Sequence, residues 1–258
     1  MRYCRLEAGF KTALMACMLA LALVMGLAAG AQPENTVALR VGTTGDYPPF
    51  SQYDPTTNTY TGSDIDLAQA LGKQLHRPVV FVLTTWPTLS QDMQSGRFNV
   101  ALSGISITQA RKRIAPFSKP YLKDGKVPLV RCADRQRFRT LSQIDQPGVR
   151  VIENPGGTNE AFARKRLRRA TLMIHNDNHT VFEAVRQHQA DVMFTDSAEA
   201  HWQAQQHLDL CVVDPTHRLT HDAKALWISN TMGRAEQQQI RRALRRVMQA
   251  KRESYKRH

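Results

Sequence analysis

The sequence predicts an α/β fold built as two units with a ligand cleft between them, and three observations carry that expectation. Short β-type runs alternate with amphipathic helical stretches along nearly the whole chain after about the first thirty residues. The same alternation restarts near the middle without a low-complexity linker, so two lobes joined by short crossovers are expected. Polar and glycine-rich clusters fall where loops leave strand ends, the usual place for ligands in open α/β sheets and at domain interfaces.

In chain order, Val37 to Gly42 reads as the first strand. Ser63 is expected to cap a helix whose Ile65, Leu67, Ala68, Leu71 and Leu75 form an apolar stripe, with Asp64 and Asp66 favoured in its first turn. Strand Pro78 to Leu83, helix Trp86 to Ser95, buried strand Phe98 to Ser103, short helix Gln109 to Arg113 and strand Gly125 to Arg131 complete the first unit. The second reads strand Val149 to Ile152, helix Thr158 to Leu167, strand Thr171 to His175, helix Thr180 to Gln187, strand Asp191 to Thr195, helix Ser197 to Gln206 and strand Leu210 to Val213. Asp214-Pro215 breaks the chain, Ala223 to Ser229 is expected to rejoin the first unit, and a last helix runs from about Ala235 to Lys251. The expected division is residues 1–31, then a discontinuous first lobe of 32–128 with 218–258, and a second lobe of 129–217.

Residues 1–31 read as a secretory signal peptide. Arg2, Arg5 and Lys11 precede an uncharged apolar run from Thr12 to Ala28, and Ala29-Gly30-Ala31 supplies small residues for cleavage before Gln32. The run is shorter than the ~20 residues that span a bilayer, so cleavage and no stable membrane insertion are expected. A lipoprotein site at Cys17 fits less well, because the apolar stretch continues past it.

The stated net charge is +13. Losing Arg2, Arg5, Lys11 and Glu7 with the leader leaves roughly +11 on about 227 residues, enough for a real core and an attraction for anions. The cations are spread over Arg135 to Arg139, Lys165 to Arg169 and Arg241 to Arg257, with no zinc-finger spacing and no RNA-binding aromatic signature. Solvated helix faces explain them, and no nucleic-acid partner is expected. Cys132 and Cys211 remain after export, the number one disulfide needs, and their spacing matches no metal motif. A bridge between two distant strand ends is expected over a pair of free thiols.

Four clusters carry chemistry. Gly45-Asp46-Tyr47-Pro48-Pro49-Phe50 fixes a turn and offers Tyr47 or Phe50 as a flat wall, and Trp86 is a second wall or a core residue. Ser103-Gly104-Ile105-Ser106 followed by Arg111 has the composition of a carboxylate clamp, since a guanidinium forks onto both oxygens. Asn154-Pro155-Gly156-Gly157-Thr158-Asn159-Glu160 joins a strand to a helix, and serves either as an anion-facing N-terminus or as a glycine turn capped by Thr158. Asp196 ends a strand, where its carboxylate grips an amine or caps a helix.

Taken together, GDYPPF, SGISITQAR continuing to FSKPY, NPGGTNE and DVMFTD resemble the family 3 periplasmic solute-binding proteins over essentially the whole mature chain. The resemblance implies a two-lobed periplasmic-binding-protein type II fold. NPGGTNE with TTGDY, TTWPTL, YLKDGK and IDQPGV further resembles the cyclohexadienyl dehydratases, which convert prephenate to phenylpyruvate and arogenate to phenylalanine without a cofactor or metal. That resemblance implies a small anionic cyclohexadienyl substrate, a periplasmic location and possible homo-oligomers. It assigns Glu160 as the general acid, Arg111 and Lys126 to the carboxylates, and Ser103 and Ser106 as hydrogen-bond donors. Thr158 and Asn159 would contact substrate from the second lobe, and Asp196 would meet the amine of arogenate. Glu160 must then be protonated, so burial against the ring has to outweigh the helix N-terminus, which favours carboxylate. The chain departs from the dehydratase pattern at Asp222-Ala223-Lys224, where a Glu would precede the lysine, and in its basic C-terminal helix. The competing reading, from Arg111 and Asp196 alone, is an amino-acid receptor of an ABC importer.

Overall fold

The computed structural model describes residues 37–255; the expected signal peptide, with Cys4, Cys17 and the Gln32 cleavage point, lies outside them. Two sheets organise the chain. The first has the order β14-β6-β1-β5, in which β1 (Leu39–Thr43) runs parallel to β5 (Val79–Leu83) and β6 (Val100–Ala101), and β14 (Trp227–Ile228) closes the edge antiparallel to β6. A three-stranded meander, β2 (Asp46–Tyr47), β3 (Ser51–Asp54) and β4 (Thr59–Thr61), lies between β1 and helix α1 (Ser63–Leu75) in sequence. Helix α2 (Leu89–Gln94) precedes β6 and α3 (Gln109–Ile114) follows it.

The second sheet has the order β10-β9-β11-β8-β12, from β8 (Lys126–Arg131), β9 (Arg150–Glu153), β10 (Thr171–Ile174), β11 (Val192–Asp196) and β12 (Leu210–Val212). Helices α4 (Leu141–Ile144), α5 (Thr158–Arg166), α6 (Val181–Arg186) and α7 (Ser197–Gln206) are threaded between these strands, and α8 (Arg234–Tyr255) ends the described chain. Both faces of this sheet are buried, which is why β8 and β11 read as unbroken apolar runs instead of alternating ones. Val127, Leu129 and Met193 pack on one face with Val181 and Val185, while Val130, Val192 and Phe194 pack on the other with Phe162. In the first lobe Ile240, Ala243, Leu244 and Val247 form a one-sided stripe on α8 and share a core with Leu39, Val41, Leu67 and Leu71.

The chain passes between the lobes through a two-stranded antiparallel ribbon, β7 (Leu122–Asp124) with β13 (Asp222–Lys224). Beside it, Lys126 N–H donates to Thr220 Oγ1 (2.8 Å) and Leu219 N–H to Lys126 O (2.7 Å). The two passages are so close that a Cβ on Gly125 would stand 2.0 Å from Thr220 O, so only glycine fits.

Several sequence expectations are corrected. Gly62 and Gly157, not Ser63 and Thr158, occupy the N-cap positions of their helices, and Thr158 Oγ1 instead accepts from Lys126. The Trp86 to Ser95 helix starts only at Leu89, because the side chains of Thr84, Thr85, Thr88 and Asp92 bond one another across a turn. Ala223 to Ser229 is divided between two strands with different partners, β7 and β6.

The expected disulfide is present: Cys132, just past β8, bridges Cys211 on the adjacent β12 with a Cα–Cα distance of 4.8 Å. It closes a loop 79 residues long. Replacing both cysteines by serine is expected to lower unfolding stability by about 2–4 kcal/mol, read from urea denaturation of each form without reductant.

Candidate functional site

The site begins with a cross-strand pair. On β11 Asp196 stands directly opposite Lys126 of β8, on the face covered by α5, where opposite charges attract across an antiparallel ladder. Lys126 Nζ donates to Asp196 Oδ1 (2.7 Å), to Thr158 Oγ1 (2.9 Å) and to Asn159 Oδ1. All three ammonium protons are thereby engaged by the protein. From the first lobe, Tyr47 OH donates to Asp196 Oδ2 (2.6 Å), and Lys224 Nζ donates to the same oxygen and to Ser106 Oγ (2.8 Å). Asp196 and Lys126 are 1 % exposed and Lys224 is 0 % exposed, so one carboxylate neutralises two buried ammoniums where the lobes meet.

The charges set the titration. Burial by itself would raise Asp196, but Lys126 and Lys224 hold its carboxyl well below the usual carboxylate range. Burial lowers Lys224, with Asp196 opposing, and burial followed by the Asp196 charge raises Tyr47.

The walls are aromatic. Tyr47 meets Trp86 edge-on, with centroids 5.1 Å apart, and stacks on Phe50; Trp86 Nε1 donates to Asp46 Oδ1 (3.1 Å). Thr108 caps α3 by accepting Arg111 N–H (3.1 Å), which sets Arg111 in the first turn facing inward. Its guanidinium donates to Ser106 O (3.0 Å) and lies 5.9 Å from the Trp86 ring and 6.0 Å from the Trp227 ring. Burial pushes Arg111 down to about 10, and among the described residues no carboxylate pairs with it. From the other lobe, Gly156 at φ +78° comes so close to Pro87 that a Cβ would stand 2.5 Å from it. This glycine lets the Asn154 to Glu160 turn seal the cavity.

A tight cavity of about 10 Å³ lies within this ring. Of the expected residues, Tyr47, Trp86, Ser106, Arg111, Thr158, Asn159 and Asp196 line it, and Lys126 lies beneath. Two expected residues stand outside the cavity lining. Ser103 does not reach the cavity: its hydroxyl is held among Thr43, Thr44 and Ser51, the last at 2.6 Å. Glu160 is not buried against the cavity either; its carboxylate accepts Gly156 N–H (2.7 Å) and Arg164 Nε (2.8 Å). Partial burial acts upward on Glu160, but these two contacts outweigh it and leave the carboxyl below its ordinary value. Lys224 and Trp227 were not anticipated at the site, and Asn154 was named only as the start of the polar turn. The signal for Lys224 was a lone cation inside the apolar run Ala223 to Ile228. Among the described residues no cluster could hold a metal ion, and no helix is long and apolar enough to cross a membrane.

The model of the bacterial extracellular solute-binding proteins, family 3, matches residues 39–256. A cyclohexadienyl dehydratase of Pseudomonas aeruginosa is 49 % identical over 187 residues, covering 72 % of this chain and 69 % of that protein. Among solved structures, an ancestral amino acid-binding protein described as a precursor of cyclohexadienyl dehydratase superposes with a TM-score of 0.75 at 35 % identity, covering 82 % of this chain and 90 % of that one. The holo arginine-binding protein of T. maritima superposes with a TM-score of 0.71 at 24 % identity, covering 83 % and 90 %, a likeness of fold.

Asp196→Asn leaves two buried ammoniums sharing no anion and is expected to cost about 3–5 kcal/mol of stability in urea melts. Because the folded carboxyl lies below its ordinary 3.8, the Asp196 contribution is complete above that value and drains away as pH falls through the folded one. The acid side of the stability profile should therefore be shallower in Asp196→Asn than in wild type.

Proposed function

The chain belongs to the bacterial extracellular solute-binding proteins, family 3, and on that footing we propose that it is an enzyme of the cyclohexadienyl dehydratase type, converting prephenate to phenylpyruvate and arogenate to phenylalanine. One observation carries the reading. Arg111, buried between two tryptophans and free of any protein carboxylate among the described residues, faces a cavity closed on its other side by the complete NPGGTNE turn.

In this mechanism Arg111 receives one substrate carboxylate in a bidentate fork, and Lys126 turns part of its hydrogen bonding to the other. Tyr47 and Trp86 hold the ring. Glu160 leaves Gly156 and Arg164 and rotates into the cavity, on the turn where Thr158 and Asn159 already stand. Inside, away from Arg164 and water, its carboxyl rises and keeps a proton. It gives that proton to the ring hydroxyl, which departs as water; the ring carboxylate leaves as carbon dioxide, and its bonding pair completes the aromatic ring. Glu160 is reprotonated from solvent.

The same proposal places the chain in a bacterial periplasm, with residues 1–31 cleaved before Gln32. It keeps the lobe division of residues 32–128 with 218–258 against 129–217, with the first crossing drawn back to Gly125 because Lys126–Arg131 lies wholly in the second sheet. The amino-acid receptor remains the second reading, favoured by the amino acid-binding description of the ancestral structure. Thermal-shift screening separates the two: a receptor is stabilised by an amino acid it does not consume.

Incubation with prephenate is expected to generate phenylpyruvate absorbance, and Glu160→Gln to reduce kcat by about 10²–10⁴-fold, the usual contribution of a general acid. Wild-type silence would overturn the reading. Because the acid must be protonated, kcat/KM is expected to fall as pH rises through its pKa, and Arg164→Ala, by removing a cation, to move that limb to higher pH.

A further inference from the structure

The cavity carries more positive charge than its own carboxylate neutralises. Arg111, Lys126 and Lys224 converge on it, and Asp196 is the sole carboxylate, among the described residues, in contact with any of the three. Three hydrogen bonds already reach it: Lys126 takes one position on Oδ1, while Lys224 and Tyr47 share Oδ2. The nearby carboxyls do not restore the balance. Glu153 and Glu199 contact none of the three cations: Glu153 accepts the Phe194 N–H and Glu199 the Thr195 hydroxyl, and burial raises both. Asp46 is engaged by Trp86 Nε1, and Asp124 by the Gly125 N–H in the ribbon between the lobes.

The two substrates of the proposed reaction differ at one place. The 2-oxo acid enters with two carboxylates and no cation, whereas the amino acid brings an ammonium as well. Two carboxylates meet an unpaired guanidinium and a pair of ammoniums that share a single anion. An ammonium would add a fourth cation to a buried cluster, and would have to displace Lys224 or Tyr47 to reach Asp196 Oδ2.

We propose, resting on the dehydratase reading, that this site selects the 2-oxo acid dianion over the corresponding amino acid, and that Lys224 is the specificity-determining residue because it occupies the Asp196 oxygen that an α-ammonium would need. Lys224 comes from β13, the return strand of the inter-lobe ribbon, so the choice is made at the point where the lobes close.

The test compares kcat/KM for prephenate and arogenate in the full mature protein, in Lys224→Met and in Lys224→Arg. Wild type is expected to favour prephenate at least about tenfold, a difference of ~1.4 kcal/mol. Lys224→Met should shift the ratio toward arogenate by about tenfold, because it frees Asp196 Oδ2 and removes one cation. Lys224→Arg should keep the prephenate preference. Since both substrates are measured on one sample, partial misfolding lowers both rates and leaves their ratio intact. Equal use of the two substrates by wild type, preference for arogenate, or a ratio unmoved in Lys224→Met overturns the inference. Turnover of neither substrate overturns the dehydratase reading instead. Calorimetric binding of phenylpyruvate against phenylalanine to wild type then decides the selectivity: tighter phenylpyruvate supports it, and tighter or equal phenylalanine refutes it.

Discussion

The buried Asp196 carboxylate, held by two lysines and a tyrosine, is the interaction on which the arrangement of the site depends. Burying a charge costs several kcal/mol, and the structure meets that cost only because each partner comes from a different element: Lys126 from β8, Tyr47 from β2 and Lys224 from β13. Two of those elements lie in the first lobe and one beside Asp196 in the second. The contact between the lobes therefore completes the ion cluster. Gly125 and Gly156 permit the two close backbone approaches that this closure needs.

That constraint also explains how the cavity acquires its chemistry. With Asp196 satisfied internally, Arg111 is left as the strong donor without an anion, positioned by the Thr108 cap and confined between Trp86 and Trp227. A guanidinium in such a place favours a planar carboxylate over water, because it is weakly hydrated and its fork is already oriented. Glu160 shows the opposite logic. At the N-terminus of α5, beside Arg164 and the Gly156 N–H, it rests as a carboxylate, and only transfer into the cavity gives it the desolvation an acid needs. In the proposed mechanism a side-chain rotation on one turn separates the rest state from the working state.

Much of this was legible in the residues. Helix α7 spans the expected Ser197 to Gln206, the apolar runs of β8 and β11 reported a doubly covered sheet, and Cys132 with Cys211 foretold the bridge. The Asn154 to Glu160 turn and Arg111 were visible as candidate site residues through the combined family resemblance, since alone a capped glycine turn and a surface arginine explain them as well. Ser103 was misplaced because its sequence context, a Ser-Gly pair after a buried strand, does not say which way a hydroxyl faces; three neighbouring oxygens and an amide claimed it. Lys224 was passed over because a lysine is usually a surface residue, and its counter-ion lies 28 positions away on another sheet.

Sequence by itself determined the α/β alternation, the apolar faces, the single disulfide and the identity of the polar turn residues, since these depend on local periodicity, residue type and count. Tertiary structure alone decided which oxygens of Asp196 were taken, that Arg111 met no carboxylate among the described residues, and that Glu160 turned outward. Each of those is a competition among groups brought together by lobe closure from separate elements. Burial and charge at a meeting point are properties of all the groups present at once, and no stretch of chain contains them.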